Sequence, residues 1–216
     1  WFRRGVPLHD GPRRRTRGVD KAAKVRTLEL PYNGGEYSMV IVLPDDARGL
    51  ADVEKALTAE SLAELRIAVF REFPYLYEGD ATYERAYLRR YAEADGAVLY
   101  GAFAGERLVG ASTGVPLSAE PDEVTAPFRD GTDGWFYFGE SVLLPEHRGH
   151  GVGVGFFAAR EAHARALGFP RTCFCRVIRP DDHPRRPADY APLDDFWRRR
   201  GYAPLPGHRA SMTWQD

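Results

Sequence analysis

Three alternating glycines, Gly149, Gly151 and Gly153, mark the segment of this sequence whose residue types are best suited to chemistry. Aromatic and apolar residues at 137–144 predict a buried strand before them, and a helical pattern begins at Val152. A turn without side chains at the start of a helix presents several unpaired backbone N–H groups, and the helix dipole adds about half a positive charge there. Such a turn can bind a phosphate or a pyrophosphate.

Three common motifs are excluded by the spacing of the residues in this segment. A Walker loop requires Gly-Lys-Ser/Thr, and the sequence contains no such triplet. The dinucleotide fingerprint G-x-G-x-x-G fails because Val154 and Phe156 occupy the positions where it requires glycine. The nucleophile elbow G-x-S-x-G fails because its last position is Leu143.

The segment that starts at Arg148 does have the pattern R-x-x-G-x-G, and it follows a strand that ends in Leu-Leu-Pro. This combination resembles the acetyl-CoA pyrophosphate loop of the GNAT N-acetyltransferase superfamily. The alternative interpretation is a glycine-rich turn that only connects the strand to the helix.

The resemblance to GNAT enzymes extends over residues 63–216 and implies their fold, an α/β (α+β) domain. In that fold a mixed, mostly antiparallel twisted sheet is flanked by helices. The family's first strand is absent before the first helix, where we expect the strand at 37–43 to substitute for it, and the last strand is missing after Trp214. The expected helices lie at 62–73, 83–92, 152–167 and 193–200, and the expected strands at 97–103, 107–115, 135–144, 172–178 and 208–214.

The first part of the chain differs in character from the rest. Residues 27–62 predict a hairpin followed by a helix, and the runs LELPYNGGEYSMVIVLPDD and LADVEKALTAESL resemble a serpin. Neither the large sheet nor the reactive loop of a serpin is present, so we expect a local β-hairpin extension without inhibitor function. Residues 1–26 are basic and lack periodicity, which predicts a poorly ordered segment.

The GNAT resemblance implies acetyl-CoA as the cosubstrate and backbone N–H groups as its main ligands. The fourth strand would pair with the pantetheine arm, and the loop would bind the two phosphates with added charge from Arg148. One N–H group of the strand would also face the thioester oxygen. The residues implied are Val142, Leu143, Leu144, His147, Arg148, Gly149, His150, Gly151, Val152 and Gly153.

Acetyl transfer to an amine also needs a base, and Glu140 is the candidate. It lies in an aromatic strand, where burial would raise the pKa of its carboxyl towards the working pH. Alternatively, Glu140 is a buried glutamate bonded to the backbone or to an arginine such as Arg176. For the acid, Trp197 occupies the position of the family's tyrosine, which leaves Tyr202, Tyr190 or water.

Three loops, at 73–80, 119–134 and 179–191, are expected to select the substrate. The last of them carries both acidic and basic side chains. The acidic residues could attract an ammonium group and the arginines could hold a carboxylate or phosphate, or these charges could pair with each other.

Composition excludes several other classes of protein. The 216 residues carry a formal net charge of −1, so no general attraction to nucleic acid or to a membrane is implied. No apolar run approaches the ~20 residues that span a bilayer. Cys173 and Cys175 lie too close on one predicted strand for an ordinary disulfide, which indicates a reducing, cytoplasmic compartment. No zinc-like spacing surrounds them, so no metal is expected.

The sequence therefore predicts an acetyl-CoA-dependent N-acetyltransferase that acts on a primary amine of a small molecule or peptide, as a monomer or homodimer. Two alternatives stay open. One is a CoA-binding protein that has lost catalysis with its edge strands and its acid. The other is a serpin-derived interaction fragment.

Overall fold

The computed structural model describes residues 1–4, 16–20, 25–31, 38–44, 59–104 and 107–211, and these form nine strands and five α-helices. The strands are β1 Phe2–Arg4, β2 Thr16–Asp20, β3 Val25–Pro31, β4 Ser38–Pro44, β5 Val98–Ala104, β6 Arg107–Pro116, β7 Trp135–Tyr137, β8 Ser141–Leu143 and β9 Arg171–Cys173. The helices are α1 Ala59–Phe70, α2 Ala81–Glu93, α3 Asp122–Thr125, α4 Val152–Ala166 and α5 Asp194–Arg198. Short 3₁₀ helices occur at Leu117–Ala119 and Pro145–His147. Within the described ranges, no helix is long and apolar enough to cross a membrane.

The strands form one mixed sheet in the order β1-β9-β7-β6-β5-β4-β3-β2, and β8 also pairs with β6. Only β7 and β9 run parallel among these described pairs. The predicted fold class, a mostly antiparallel sheet flanked by helices, is confirmed.

Helices cover both faces of the sheet, as the alternation along β5 shows. Val98 and Tyr100 pack into a core with α4, whereas Leu99 between them packs into a core with α1 and α2. Successive residues of a strand point to opposite faces. Therefore α1 and α2 lie on one face and α4 lies on the other.

The hairpin predicted from the serpin-like segment is confirmed as β3 and β4, whose register runs from Val25 opposite Pro44 to Pro31 opposite Ser38. β4 also pairs with β5, with Ile41 opposite Tyr100. The strand expected to substitute for the family's first strand therefore does join the sheet beside β5. The predicted turn at 33–36 lies outside the described residues, and so does the start of the helix predicted to follow the hairpin.

The opposite edge of the sheet is formed by β1, which pairs antiparallel with β9. The amide of Phe2 donates to the carbonyl of Ala203 at 2.9 Å, and the amide of Ala203 donates in return at 3.1 Å. β1 and β2 thus lie within residues 1–26, where we expected no regular structure. β1 is ordered by pairing with the distant β9, and β2 pairs with the neighbouring β3. The strand predicted at 208–214 is absent from residues 208–211, and its remainder lies outside the described residues.

Glu120 connects the segment after β6 to α2. The hydroxyl of Tyr91 donates to Glu120 Oε1 at 2.8 Å, and Arg90 Nη2 lies 3.7 Å from Oε2. Burial raises the pKa of the Glu120 carboxyl above its usual value, although the hydrogen bond from Tyr91 and the charge of Arg90 both lower it. The folded protein therefore binds a proton at Glu120 more tightly than the unfolded chain does.

Replacing Glu120 with glutamine should flatten the pH dependence of stability. The stabilisation from a raised pKa is complete below the usual value of 4.5 and is lost as the pH rises through the folded-state pKa. Each unit of difference is worth about 1.4 kcal/mol. We expect the free energy of unfolding, measured in urea from pH 4.5 to pH 7, to fall less in Glu120→Gln than in the wild type. The exposed Glu123→Gln serves as the control, and equal pH slopes in all three proteins would contradict the assignment.

Candidate functional site

The predicted fourth strand is divided in two, and the division opens one edge of β8. β7 and β8 both pair with β6, but only β7 pairs with β9. The hydrogen bonds between the β7 segment and β9 end with the amide of Phe138, which donates to the carbonyl of Cys173 at 2.8 Å. β9 ends at Cys173, whereas a strand over 172–178 was predicted. No described strand pairs with the other edge of β8, which we call the free edge.

The hydrogen bonds to β6 determine which main-chain groups lie on the free edge. The amide of Leu144 donates to Val109 at 3.0 Å, and the amide of Thr113 donates to the carbonyl of Glu140 at 3.1 Å. Because strand residues alternate between edges, Val142 also faces β6. Of the three residues named as partners of the pantetheine arm, Leu143 therefore presents its main-chain groups on the free edge, whereas those of Val142 and Leu144 face β6.

A buried guanidinium holds the chain where β7 and β8 separate. Arg160 of α4 is 1% exposed. It donates to the carbonyls of Thr113 and Glu140 at 3.2 and 3.0 Å and to Ser141 Oγ at 2.8 Å. Burial lowers its pKa to about 10, so the group remains charged at neutral pH. Sequence reasoning missed Arg160, although a charged residue within the apolar face of a helical pattern was a visible signal.

The glycine-rich loop between β8 and α4 is exposed and turns through two left-handed residues. Gly149 has φ +82° and Gly151, the N-cap of α4, has φ +85°. The amides of His147 and Arg148 are occupied, since they donate to Leu144 and Pro145 at 3.0 Å each. In the described part of the chain, no hydrogen-bond acceptor pairs with the loop amides of Gly149, Gly151, Val152, Gly153 and Val154.

The loop thus supplies main-chain donors from Gly149 onwards, and the predicted contributions of the His147 and Arg148 amides are corrected. His150 is exposed in the same loop. The remaining donors include the first amides of α4, which have no acceptor within the helix, so the arrangement suits an anion.

Arg148 lies between the free edge of β8 and a carboxylate from the other side of the site. Its Nε donates to the carbonyl of Leu143 at 3.1 Å, and its Nη2 donates to Glu72 Oε2 at 2.9 Å. Both charged side chains are about half exposed. An ion pair so exposed contributes about 0–1 kcal/mol, so an anion can compete with Glu72 for Arg148.

Glu140 belongs to a buried cluster of three charges on the side of α1 and α2. The guanidinium of Arg66 forms ion pairs with Glu84 and Glu140, and the three side chains are 5%, 0% and 5% exposed. The partner of Glu140 is therefore Arg66, whereas Arg176, the arginine considered from the sequence, pairs with Asp194 at 3.0 Å. The carbonyl of Glu140 also accepts from Ser112 Oγ at 3.0 Å.

Tyr202 does not lie at the free edge of β8, which corrects its prediction as a candidate acid. It is 2% exposed. Its hydroxyl donates to Glu161 Oε1 at 3.0 Å and contacts Thr172 Oγ1 at 3.1 Å. Burial raises the pKa of this hydroxyl well above its usual value. Tyr202 packs with Phe174 in the core on the α4 face.

Two of the three predicted substrate loops meet each other. Arg179 donates to the carbonyls of Pro74 and Tyr75, both at 2.9 Å. The ring of Tyr190, whose pKa is raised by burial, lies 4.7 Å from that of Phe73. The third loop packs elsewhere, since Phe128 contacts Trp135 and His208.

Charges in the 179–191 loop pair with each other or with aromatic rings. Arg186 lies 3.4 Å from Asp181 and 4.9 Å from the ring centroid of Tyr190. No group of three or more His, Cys, Asp or Glu side chains in the described ranges could hold a metal ion. Cys173 is buried and Cys175 is exposed, and both are free thiols.

The front of the chain is similar to serpins. A family model described as serpin (serine protease inhibitor) matches residues 13–70, which confirms the predicted resemblance of this segment. Leukocyte elastase inhibitor of Bos taurus is 53% identical over 51 residues, 22% of this chain and 14% of that protein. Ovalbumin of Dromaius novaehollandiae is 49% identical over 43 residues, 20% of this chain and 11% of that protein. The chain thus spans a small fraction of the curated relatives that it matches.

Solved structures similar to the chain include several acetyltransferases. An aminoglycoside acetyltransferase from an uncultured soil metagenomic sample has a TM-score of 0.49 at 14% identity, covering 85% of this chain and 97% of that one. An aminoglycoside N-acetyltransferase in complex with CoA has a TM-score of 0.47 at 12% identity, covering 74% and 89%. An acetyltransferase assigned to the GNAT family from Xanthomonas campestris pv. campestris has a TM-score of 0.41 at 18% identity, covering 71% and 82%. At these scores the activity of the chain has to be inferred from its own geometry.

Gly139 lies at the division between β7 and β8, and an alanine there should destabilise the fold. A Cβ atom would lie 2.1 Å from Tyr91 Oη and 2.7 Å from Thr113 Oγ1. We expect Gly139→Ala to lower the free energy of unfolding by about 1–3 kcal/mol, measured by chemical denaturation. Gly153→Ala is the control, because its Cβ would make an ordinary 3.6 Å contact with Phe196. Equal stabilities of the two variants would contradict the tight packing at the division.

Proposed function

We propose that residues 63–216 form an acetyl-CoA-dependent N-acetyltransferase domain and that residues 27–62 extend its sheet. The observation that carries the proposal is continuity: the free edge of β8 leads through a short 3₁₀ turn into a loop in which, among the described residues, the amides of Gly149, Gly151, Val152, Gly153 and Val154 have no acceptor. An extended arm followed by a diphosphate matches a strand edge followed by a helix N-terminus. The arginine pattern of the loop and the family resemblance support the same ligand.

The residues proposed to bind the coenzyme are identified by the main-chain groups that they present. Leu143 on the free edge would pair with the pantetheine arm and could donate to the thioester oxygen as charge develops there. The amides from Gly149 to Val154 would bind the two phosphates, and several donors are needed because each dipole contact contributes only about 0.3–1 kcal/mol. When the coenzyme binds, Arg148 would release Glu72 and form an ion pair with a phosphate instead. The bound coenzyme supplies an activated acetyl thioester.

Glu140 is the group proposed to take the proton from the attacking amine. It precedes β8 directly, and its Oε1 has no hydrogen-bond partner among the described residues. When the amine nitrogen attacks the acetyl carbon, the C–S bond breaks and the ammonium proton passes to Glu140. Since Tyr202 is bonded elsewhere, the thiolate is proposed to leave without a tyrosine acid and to take its proton from water.

The acceptor is proposed to be a primary amine on a small molecule or peptide. The surplus negative charge of the Arg66, Glu84 and Glu140 cluster favours a cation over an anion at this place. The proteins with similar solved structures include aminoglycoside acetyltransferases, whose substrates carry amines.

A first experiment tests the loop through CoA binding. Gly149 and Gly168 have the same φ of +82°, and a Cβ at either would meet nothing within 4 Å, so valine strains both equally. Only Gly149→Val places a branched side chain among the free amides. We expect its Kd for CoA, measured by calorimetry, to rise at least about tenfold, a loss of about 1.4 kcal/mol. Gly168→Val should bind like the wild type, and equal affinities of the two variants would contradict the site.

A second experiment tests catalysis by thiol release from acetyl-CoA with a panel of primary amines. Glu140→Gln keeps the shape of the side chain and removes the base, so kcat should fall about 10²-fold or more while CoA affinity is kept. The exposed Glu64→Gln on α1 is the control. Tight CoA binding by the wild type without release for any amine would identify a CoA-binding protein without catalysis.

A further inference from the structure

Arg66 is one cation placed between two buried carboxylates. It comes from α1 and pairs with Glu84 of α2 and with Glu140, and all three side chains are at most 5% exposed. The Oε1 atoms of both glutamates have no hydrogen-bond partner in the described part of the chain. The cluster thus carries one negative charge more than Arg66 can neutralise.

The other groups around this cluster are neutral or face away from the carboxylate of Glu140. Burial raises the pKa of Tyr77, which contacts Glu84, to about 12. Burial likewise raises the pKa of Tyr87, whose ring centroid lies 4.2 Å from the Arg66 guanidinium. From α4, Arg160 donates to the main-chain carbonyl of Glu140 at 3.0 Å.

Beyond Tyr87 the polar groups lead away from Glu140. The hydroxyl of Tyr87 lies 2.9 Å from that of Tyr91, which donates in turn to Glu120. Arg90 lies beside Glu120. Glu84 and Arg66 are therefore the charged side chains in ion-pair contact with Glu140 or with its partner.

The arrangement poses a conflict for a base. An arginine in contact with a buried carboxylate stabilises the ionised form and weakens its affinity for a proton. A base acts best when it titrates near the working pH. Glu84 offsets the effect, because it shares the guanidinium and repels a second negative charge.

We propose that Arg66 is a positioning residue whose charge is divided between Glu84 and Glu140, and that Glu84 thereby sets the pH at which Glu140 accepts a proton. The inference rests on the proposed function, in which Glu140 is the base. It assigns a role in catalysis to α1 and α2, which carry Arg66 and Glu84.

Two substitutions should move the pH–rate profile in opposite directions. Glu84→Gln leaves Arg66 to Glu140 alone, so the acid limb of kcat/KM should move down by about one pH unit. Arg66→Gln removes the cation, so the limb should move up by at least about one unit. Arg66→Lys keeps the charge but not the planar fork, so the limb should move less than in Arg66→Gln. The exposed Arg198→Gln on α5 is the matched control and should not move it.

A purely structural role predicts a different result. If the cluster only holds the helices together, both Gln variants lose activity or stability with an unchanged acid limb, which overturns the inference. If Arg66→Gln does not fold, the inference is tested with Glu84→Gln alone. That variant removes one negative charge and leaves the ion pair of Arg66 with Glu140, which has no net charge.

A readout without turnover separates this inference from the proposed function. In protein labelled with ¹³C at the glutamate carboxyls, the resonance lost in Glu140→Gln identifies Glu140, and its titration midpoint is followed by NMR. Suppose that the Glu140 midpoint moves in opposite directions in Glu84→Gln and Arg66→Gln, while the wild type transfers no acetyl group. The inference about Arg66 and Glu84 then stands, and the proposed enzymatic function is refuted. Acetyl transfer with an unmoved midpoint keeps the enzyme and overturns the inference.

Discussion

One buried guanidinium keeps the central strand of the sheet divided. Arg160 gives donors to two main-chain carbonyls and to a serine hydroxyl at the place where β7 separates from β8. The same carbonyls also accept from main-chain amides, that of Thr113 from Gly139 and that of Glu140 from Thr113, so the guanidinium adds a charged donor to groups that are already bonded. Among the described residues no carboxylate forms an ion pair with Arg160, and main-chain and hydroxyl dipoles and the ring of Phe138 surround it. The free edge of β8 depends on this arrangement.

Around the free edge, positive side chains are already matched by carboxylates. Arg148 binds Glu72 at the surface, and Arg66 binds Glu84 and Glu140 in the core. The two pairs differ in strength, because water screens the first and not the second. An incoming anion can therefore recruit Arg148 at little cost, whereas Arg66 stays with its carboxylates. The main chain of the loop remains the permanent source of positive potential.

The sequence allowed prediction of those features that depend on neighbouring residues. The helical pattern of α4, the glycines before it, the hairpin of β5 and β6, and the strand β4 all follow from local periodicity and turn residues. Leu143 as a candidate ligand came from the resemblance to GNAT enzymes rather than from local periodicity. These features are the strands, the loop and the helix around the candidate site.

The features that were missed depend on contacts between distant residues. Glu140 pairs with Arg66, which lies 74 positions earlier in the sequence, and no local pattern distinguishes Arg66 from Arg176. At the division, Gly139 packs so closely against the distant Tyr91 and Thr113 that a Cβ atom there would clash with both. Tyr202 was predicted as an acid because it follows a family motif, yet its surroundings bury it. Side-chain neighbours of this kind become visible only in the folded chain.

The pairing of β1 with β9 has a consequence for the order in which the molecule is assembled. Phe2 lies opposite Cys173, so β1 leaves the ribosome about 170 residues before its partner strand β9. The hairpin of β3 and β4 can form early and wait for β5. The first strand has to remain unpaired throughout, because contacts between sequence-distant segments form slowly and cannot precede their partner. The pairing of β1 with β9 is therefore expected to form late in folding.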